Sequence, residues 1–113
     1  MNIQIFGTKK CNDTKKAERF FKERGIKYQY IDMKEKGMSK GEFTAVAQAN
    51  GGIENMLDMG CKDQDALMLI KYIADEDKIG KILENQQVIK TPIVRNGKQS
   101  TIGYQPEVWK KWE

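Results

Sequence analysis

Apolar and polar residues alternate through Ile3-Gln4-Ile5-Phe6, which predicts a short β-strand that Gly7-Thr8 ends. Ala17, Phe20 and Phe21 then recur at helical spacing. A helix is therefore expected from Cys11, or just after it, to the stop at Arg24-Gly25, with the cap-type residues Asn12, Asp13 and Thr14 at its start. Lys27 to Asp32, rich in aromatic and β-branched residues, predicts a second strand. Strand, helix and strand in about 30 residues form a βαβ unit, whose strands should be parallel and whose crossover should be right-handed. Tyr28 and Tyr30 share one face of that strand, where core packing is their simplest use.

The middle of the chain has a helical period. Lys34 to Met38 reads as a charged turn, and Ser39 with Glu42 three residues later forms a capping box for a helix carrying Phe43, Val46 and Ala47 to the stop at Gly51-Gly52. Ile53 to Met59 predicts no more than one helical turn, and Gly60-Cys61 a break. Asp63 or Asp65 opens the next helix, with Ala66, Leu67, Leu69, Ile70 and Ile73 as its apolar face. Asp75-Glu76-Asp77 reads as a turn, and Ile79, Ile82 and Leu83 as one more helix. Residues 39–85 are thus a helical insertion, expected over one edge of the sheet.

Strand signals return near the end. Ile93-Val94-Arg95 and Gln99 to Ile102 flank Asn96-Gly97, a strong two-residue hairpin turn. Gly103 breaks the second strand, and Pro106 stands at the start of a last helix, Glu107 to Trp112, where proline is tolerated. Trp109 and Trp112, three apart, would face the sheet together. The order β-α-β, helices, β-hairpin, α gives one α/β domain over residues 1–113: the thioredoxin plan, a four-stranded mixed sheet, with a helical insertion.

Candidate chemistry gathers where the first strand hands over to the first helix. Unpaired N–H groups and the positive end of the helix dipole favour an anion there, and Lys9, Lys10, Lys15 and Lys16 add charge, so Cys11 is expected to favour its thiolate. Thr14, one turn on, could donate its hydroxyl to the sulfur, while Asp13 opposes the effect. The competing reading is a small cysteine that merely packs beneath the helix.

Composition narrows the field. Two cysteines, Cys11 and Cys61, are too few for a disulfide framework, and the absence of histidine removes the usual general base and metal ligand, so no metal site is expected. No signal-type segment or membrane-length apolar run is present, and a reducing cytoplasm is the expected setting. The charge of +4 comes from 20 basic residues spread among 16 acidic ones, without a basic block, so direct nucleic-acid binding is not expected.

Three segments together carry a resemblance. Gly7-x-Lys9-x-Cys11-x-x-Thr14-Lys15-Lys16-Ala17, Thr91-Pro92-Ile93-Val94 and Gly103-Tyr104-Gln105-Pro106-Glu107-Val108-Trp109 resemble, in order, the landmarks of the arsenate reductase (ArsC)-like family, which includes Spx-type regulators. The resemblance implies the thioredoxin strand order and a cis Pro92 facing the cysteine loop. It also implies Cys11, Thr14 and Lys15 as catalytic residues, with Lys9, Thr91, Pro92 and Gln105 at the substrate. With Thr14 in place of a second cysteine, Cys11 has no adjacent resolving thiol. A thiol-dependent oxidoreductase of this kind needs no bound cofactor but an external reductant, glutathione or a small-protein thiol such as glutaredoxin. Cys61 is the only internal alternative, and a free, inert Cys61 is the simpler reading. The family's arsenate reductases bind their oxyanion with arginines from the insertion and before each of the two prolines. Here the segment Leu57 to Lys62 has none, and Thr91 and Gln105 stand before the prolines, so efficient arsenate reduction is not expected. Arg95 reads as a solvated strand residue. The substrate is then a small molecule or a glutathione adduct, handled by a monomer. The alternative is an Spx-like docking module for a partner such as RNA polymerase, though Thr14 removes the Cys-x-x-Cys switch many such regulators carry.

Overall fold

The computed structural model describes residues 1–112; Glu113, the last residue of the expected domain, lies outside them. Strands β1 (Ile3–Gly7), β2 (Tyr28–Asp32), β3 (Ile93–Asn96) and β4 (Gln99–Ile102) form one mixed sheet in the order β2-β1-β3-β4. β2 runs parallel to β1, as the βαβ unit requires, and β3 and β4 are antiparallel. Ile5 pairs with Val94 and Phe6 with Ile93, which fixes the hairpin against the first strand. Gly97 supplies the positive φ, 62°, that this tight turn demands.

The period of two along β1 decides what covers each face. Ile3 and Ile5 point to one side with Val94, where helices α1 (Asn12–Glu23) and α5 (Pro106–Lys110) bury them under Ala17, Phe20, Phe21 and Trp109. Tyr28, Tyr30 and Trp112 pack around the same cluster, half-buried, as the face assignments predict. Trp109 is fully buried, its ring 5.2 Å from both Phe20 (edge-to-face) and Phe21 (tilted), and its indole N–H donates to the Thr101 hydroxyl at 2.8 Å. Trp109→Phe keeps most of the ring packing but strands that hydroxyl. The expected loss is about 1–3 kcal/mol in chemical denaturation.

Phe6, Ile31 and Ile93 point the other way, into the insertion. The insertion comprises helices α2 (Lys40–Ala49), α3 (Gln64–Tyr72) and α4 (Asp75–Glu84), with single 3₁₀ turns at Ile53–Met56 and Gln86–Val88. It covers that whole face rather than one edge, because Phe43, Val46, Leu67, Ile70 and Ile82 need a sheet face to bury them. Asp75-Glu76-Asp77 is not a turn but the first turn of α4, where three carboxylates favour the positive helix end. Leu69, placed by its period on the apolar face of α3, is instead 48% exposed. An antiparallel bridge between Leu57 and Ile89, flanked by backbone bonds from Asp58 to Val88 and from Lys90 to Met56, ties the insertion to the segment entering β3. None of the described helices is long and apolar enough to cross a membrane.

Candidate active site

Cys11 is the N-cap of α1, with extended backbone (φ −80°, ψ 116°) and no side-chain cap bond. Its own N–H donates to the Thr8 carbonyl at 3.2 Å, so the chain turns tightly out of β1 and presents the thiol at the helix mouth. Helix and strand can approach this closely because residue 7 is glycine. A Cβ there would collide with the Thr14 side chain.

Two threonines lie at the sulfur. The Cys11 thiol donates to the Thr91 carbonyl at 3.6 Å, across from the strand-entry segment. The Thr91–Pro92 bond is cis and Pro92 is buried, as the resemblance implies. Thr14 is 1% exposed, and its hydroxyl oxygen makes no formed hydrogen bond with the thiol or any other group. It lies near enough to the sulfur to favour the anion, and loss of the thiol proton supplies the acceptor it lacks.

Burial pushes the half-buried Cys11 thiol up, but the Thr14 hydroxyl, the Thr91 side chain and the backbone N–H groups of Thr14 and Asp13 outweigh it, so its pKa falls below the ordinary thiol value. The leading contributions come from these dipoles and not from lysine ammonium groups. Lys9, Lys10, Lys15 and Lys16 are all exposed, and Lys16 reaches toward Asp13 (3.9 Å) and over the Tyr104 ring (5.7 Å). Tyr30, expected only to pack, carries a buried, unpartnered hydroxyl. Burial pushes its phenol up, followed by the charges of Asp32, Glu18 and Cys11.

Two clefts meet at Thr91, whose carbonyl accepts from the thiol, and at Asp58. The first, about 730 Å³, runs past Asp13, Asn50, Asp58, Lys90, Ser100 and Gln105. The second, about 590 Å³, leads from Thr8 and Thr91 past Met33 to Cys61. The fold brings Thr14 and Thr91 to Cys11, with the buried cis Pro92 next to Thr91; Gln105 lines the first cleft, and Lys9 and Lys15 are exposed outside the lining of both. Gln105 is the N-cap of α5, and its side-chain N–H donates to the Ile102 carbonyl at 3.2 Å. Lys90 and Asp58 are residues that sequence reasoning missed. The adjacency of Lys90 to Thr91 was the one available signal; Asp58 reaches the site only through the bridge at Leu57. Arg95 is far from being a solvated residue: it is half-buried between Glu42 (3.6 Å) and Gln4 (3.3 Å). Cys61 is buried. Its thiol donates to the Asp63 carbonyl at 3.6 Å, and burial, with Asp58 and Asp63, pushes its pKa up.

Comparison with known proteins bears on the fold and the family. No curated protein matches the sequence significantly. Among solved structures, an ArsC-family-related protein from Bacteroides fragilis is similar over 100% of this chain and 98% of its own, with TM-score 0.85 and 19% identity. An arsenate reductase from Vibrio cholerae is similar over 98% of this chain and 97% of its own, with TM-score 0.82 and 23% identity. At these identities the likeness concerns the fold. The sequence itself matches the model of the ArsC family over residues 6–112, from the strand before Cys11 to Trp112, and the chain therefore belongs to the ArsC family, a thiol-dependent redox family.

Proposed function

We propose that the protein is a thiol-dependent oxidoreductase with Cys11 as nucleophile, acting on a disulfide such as a glutathione adduct. The observation that carries this reading is the half-buried Cys11 thiol at the mouth of α1, held below its ordinary pKa by groups that favour the anion. The thiolate attacks one sulfur of the substrate disulfide. That S–S bond breaks, a new one forms to Cys11, and the other half leaves as a thiolate that takes up a proton. The Thr14 and Thr91 side chains steady the anion before attack. Pro92 and Gln105 shape the approach, and Lys9, Lys15 and Lys90 offer cations to anionic groups of the substrate.

Resolution then requires an external thiol, glutathione or a small protein thiol such as glutaredoxin. Cys61 suits the task poorly, because its thiol is buried, engaged with the Asp63 carbonyl and held in the neutral form. Incubation with oxidised glutathione followed by peptide mass mapping tests the reading. The expected product is a glutathione adduct on Cys11 and none on Cys61, abolished by Cys11→Ser. An adduct on Cys61 alone, or none, would overturn it. Failure of both disulfide and arsenate chemistry, with co-purification of RNA polymerase, would favour an Spx-like regulator.

A further inference from the structure

Helix α3 is apolar on two faces. Leu67 and Ile70 point inward and are buried in the core between the insertion and the sheet. On the opposite side Asp65, Met68, Leu69 and Tyr72 recur at i, i+3, i+4 and i+7, the spacing of one continuous helix face. Met68 is 41%, Leu69 48% and Tyr72 79% exposed, so nothing in the chain covers this face. Among the described elements, no other leaves three large apolar side chains in solvent. Met59 is exposed too, and the Gln64 side chain, in the first turn of α3, donates to its carbonyl at 3.2 Å. A surface helix needs one apolar stripe, whereas a helix with two suits a place between two neighbours. The core supplies the first neighbour.

We propose that this face binds the same face of a second copy, making an antiparallel two-fold dimer in place of the monomer expected from the sequence. The stripe is complementary to itself. A two-fold axis between Met68 and Leu69 sets Met68 of one copy on Leu69 of the other and Asp65 opposite Tyr72, each contact made twice. The Tyr72 phenol then donates to the Asp65 carboxylate. Charge supports the antiparallel sense. Asp65 lies in the first turn of α3 and Lys71 in its last, so unlike ends meet and the helix dipoles oppose each other. The two Asp65 carboxylates fall about 10 Å apart along the axis, where salt screens them. Asp75, the first of the acids opening α4, is already paired with Lys78 at 3.4 Å. A strongly charged partner finds no match on a face whose ends differ in sign. A helix of 9 residues offers less than the roughly 800 Å² per partner of a standard interface, so the dimer is weak, with a micromolar dissociation constant. No residue of α3 lines either cleft, and both stay open in the dimer.

Sedimentation equilibrium of the full chain in reducing buffer tests the proposal. With rising concentration the mass should climb from that of one 13.0 kDa chain to twice that value and stop there. Leu69→Glu should raise the dissociation constant about thirtyfold or more, the scale of a central interface residue. Because Leu69 is exposed and distant from the clefts, its thermal unfolding at low concentration and its Cys11 alkylation rate should match the wild type. Asp65→Lys and Lys71→Glu should each weaken association, and the two together in one chain, with thermal unfolding unchanged, should restore it. A wild type that stays monomeric at every concentration would overturn the proposal. So would growth beyond the dimer, or a dimer that Leu69→Glu leaves intact. A folded double reversal that associates no better than the single ones would overturn the antiparallel arrangement and the proposal with it.

Discussion

At neutral pH, iodoacetamide is expected to alkylate Cys11 faster than Cys61, since the thiol with the lower pKa holds more thiolate and Cys61 is buried. The two thiols are shifted in opposite directions by different surroundings. Helix N–H groups and two threonine side chains favour the Cys11 anion, whereas Cys61 is buried between Asp58 and Asp63. The Cys11 rate should rise with pH, with its midpoint below that of an unperturbed thiol. Thr14→Val removes the hydroxyl while preserving the shape packed against Gly7, so its predicted effect is electrostatic. With one lowering influence gone, the midpoint should move up and the neutral-pH rate should fall. Stability should change little, because that hydroxyl is already unpartnered in the thiol form. A pH profile for wild-type Cys11 at or above the ordinary thiol midpoint would refute the reactive-cysteine reading. An unmoved profile in Thr14→Val would assign the shift to the helix end and Thr91 alone.

The sequence was most legible where the chemistry is local. The Ser39–Glu42 capping box forms both of its reciprocal bonds, at 2.8 and 3.2 Å, because each partner lies within one turn of the other. The strand–cysteine–helix junction and the Asn96-Gly97 hairpin were readable for the same reason. The cis form of Pro92 came from family resemblance, since nothing local distinguishes it from a trans proline. Nearness in sequence misled in the case of the lysines. Four cations close to Cys11 in the chain suggested a Coulombic origin for its reactivity, yet their long side chains end in solvent while short hydroxyls and backbone dipoles sit at the sulfur. Tertiary facts were hidden as well. Arg95 pairs with Glu42, more than 50 residues away in sequence, because β3 and α2 meet across the sheet face. The cleft beside Thr91 takes Asn50 and Asp58 from the insertion and Ser100 from the hairpin, an assembly that no spacing rule anticipates.

Arsenate turnover by this protein is expected to be weaker, by several powers of ten, than in family members that bind the oxyanion with arginines. Each charge-assisted hydrogen bond to such an anion is worth about 1.5–3 kcal/mol, and about 1.4 kcal/mol is tenfold in rate, so two or three absent contacts set that scale. The arginines this chain has lie elsewhere: Arg95 with Glu42 and Gln4, Arg24 over the Phe20 ring at 3.8 Å, and Arg19 exposed on the outer face of α1. Among the described residues, Lys90 is the one cation lining the cleft beside Gln105, and a single ammonium lacks the planar fork that grips two oxyanion oxygens at once. Gln105→Arg should recover part of the deficit, about tenfold in turnover, because the exposed Gln105 side chain gives up only its bond to the Ile102 carbonyl. Steady-state assays with arsenate, glutathione and glutaredoxin measure both halves. Robust wild-type turnover abolished by Cys11→Ser would show that Lys15, Lys90, Thr91 and Gln105 suffice as an oxyanion pocket. Arginines would then be dispensable for arsenate turnover, while the thiol chemistry stood.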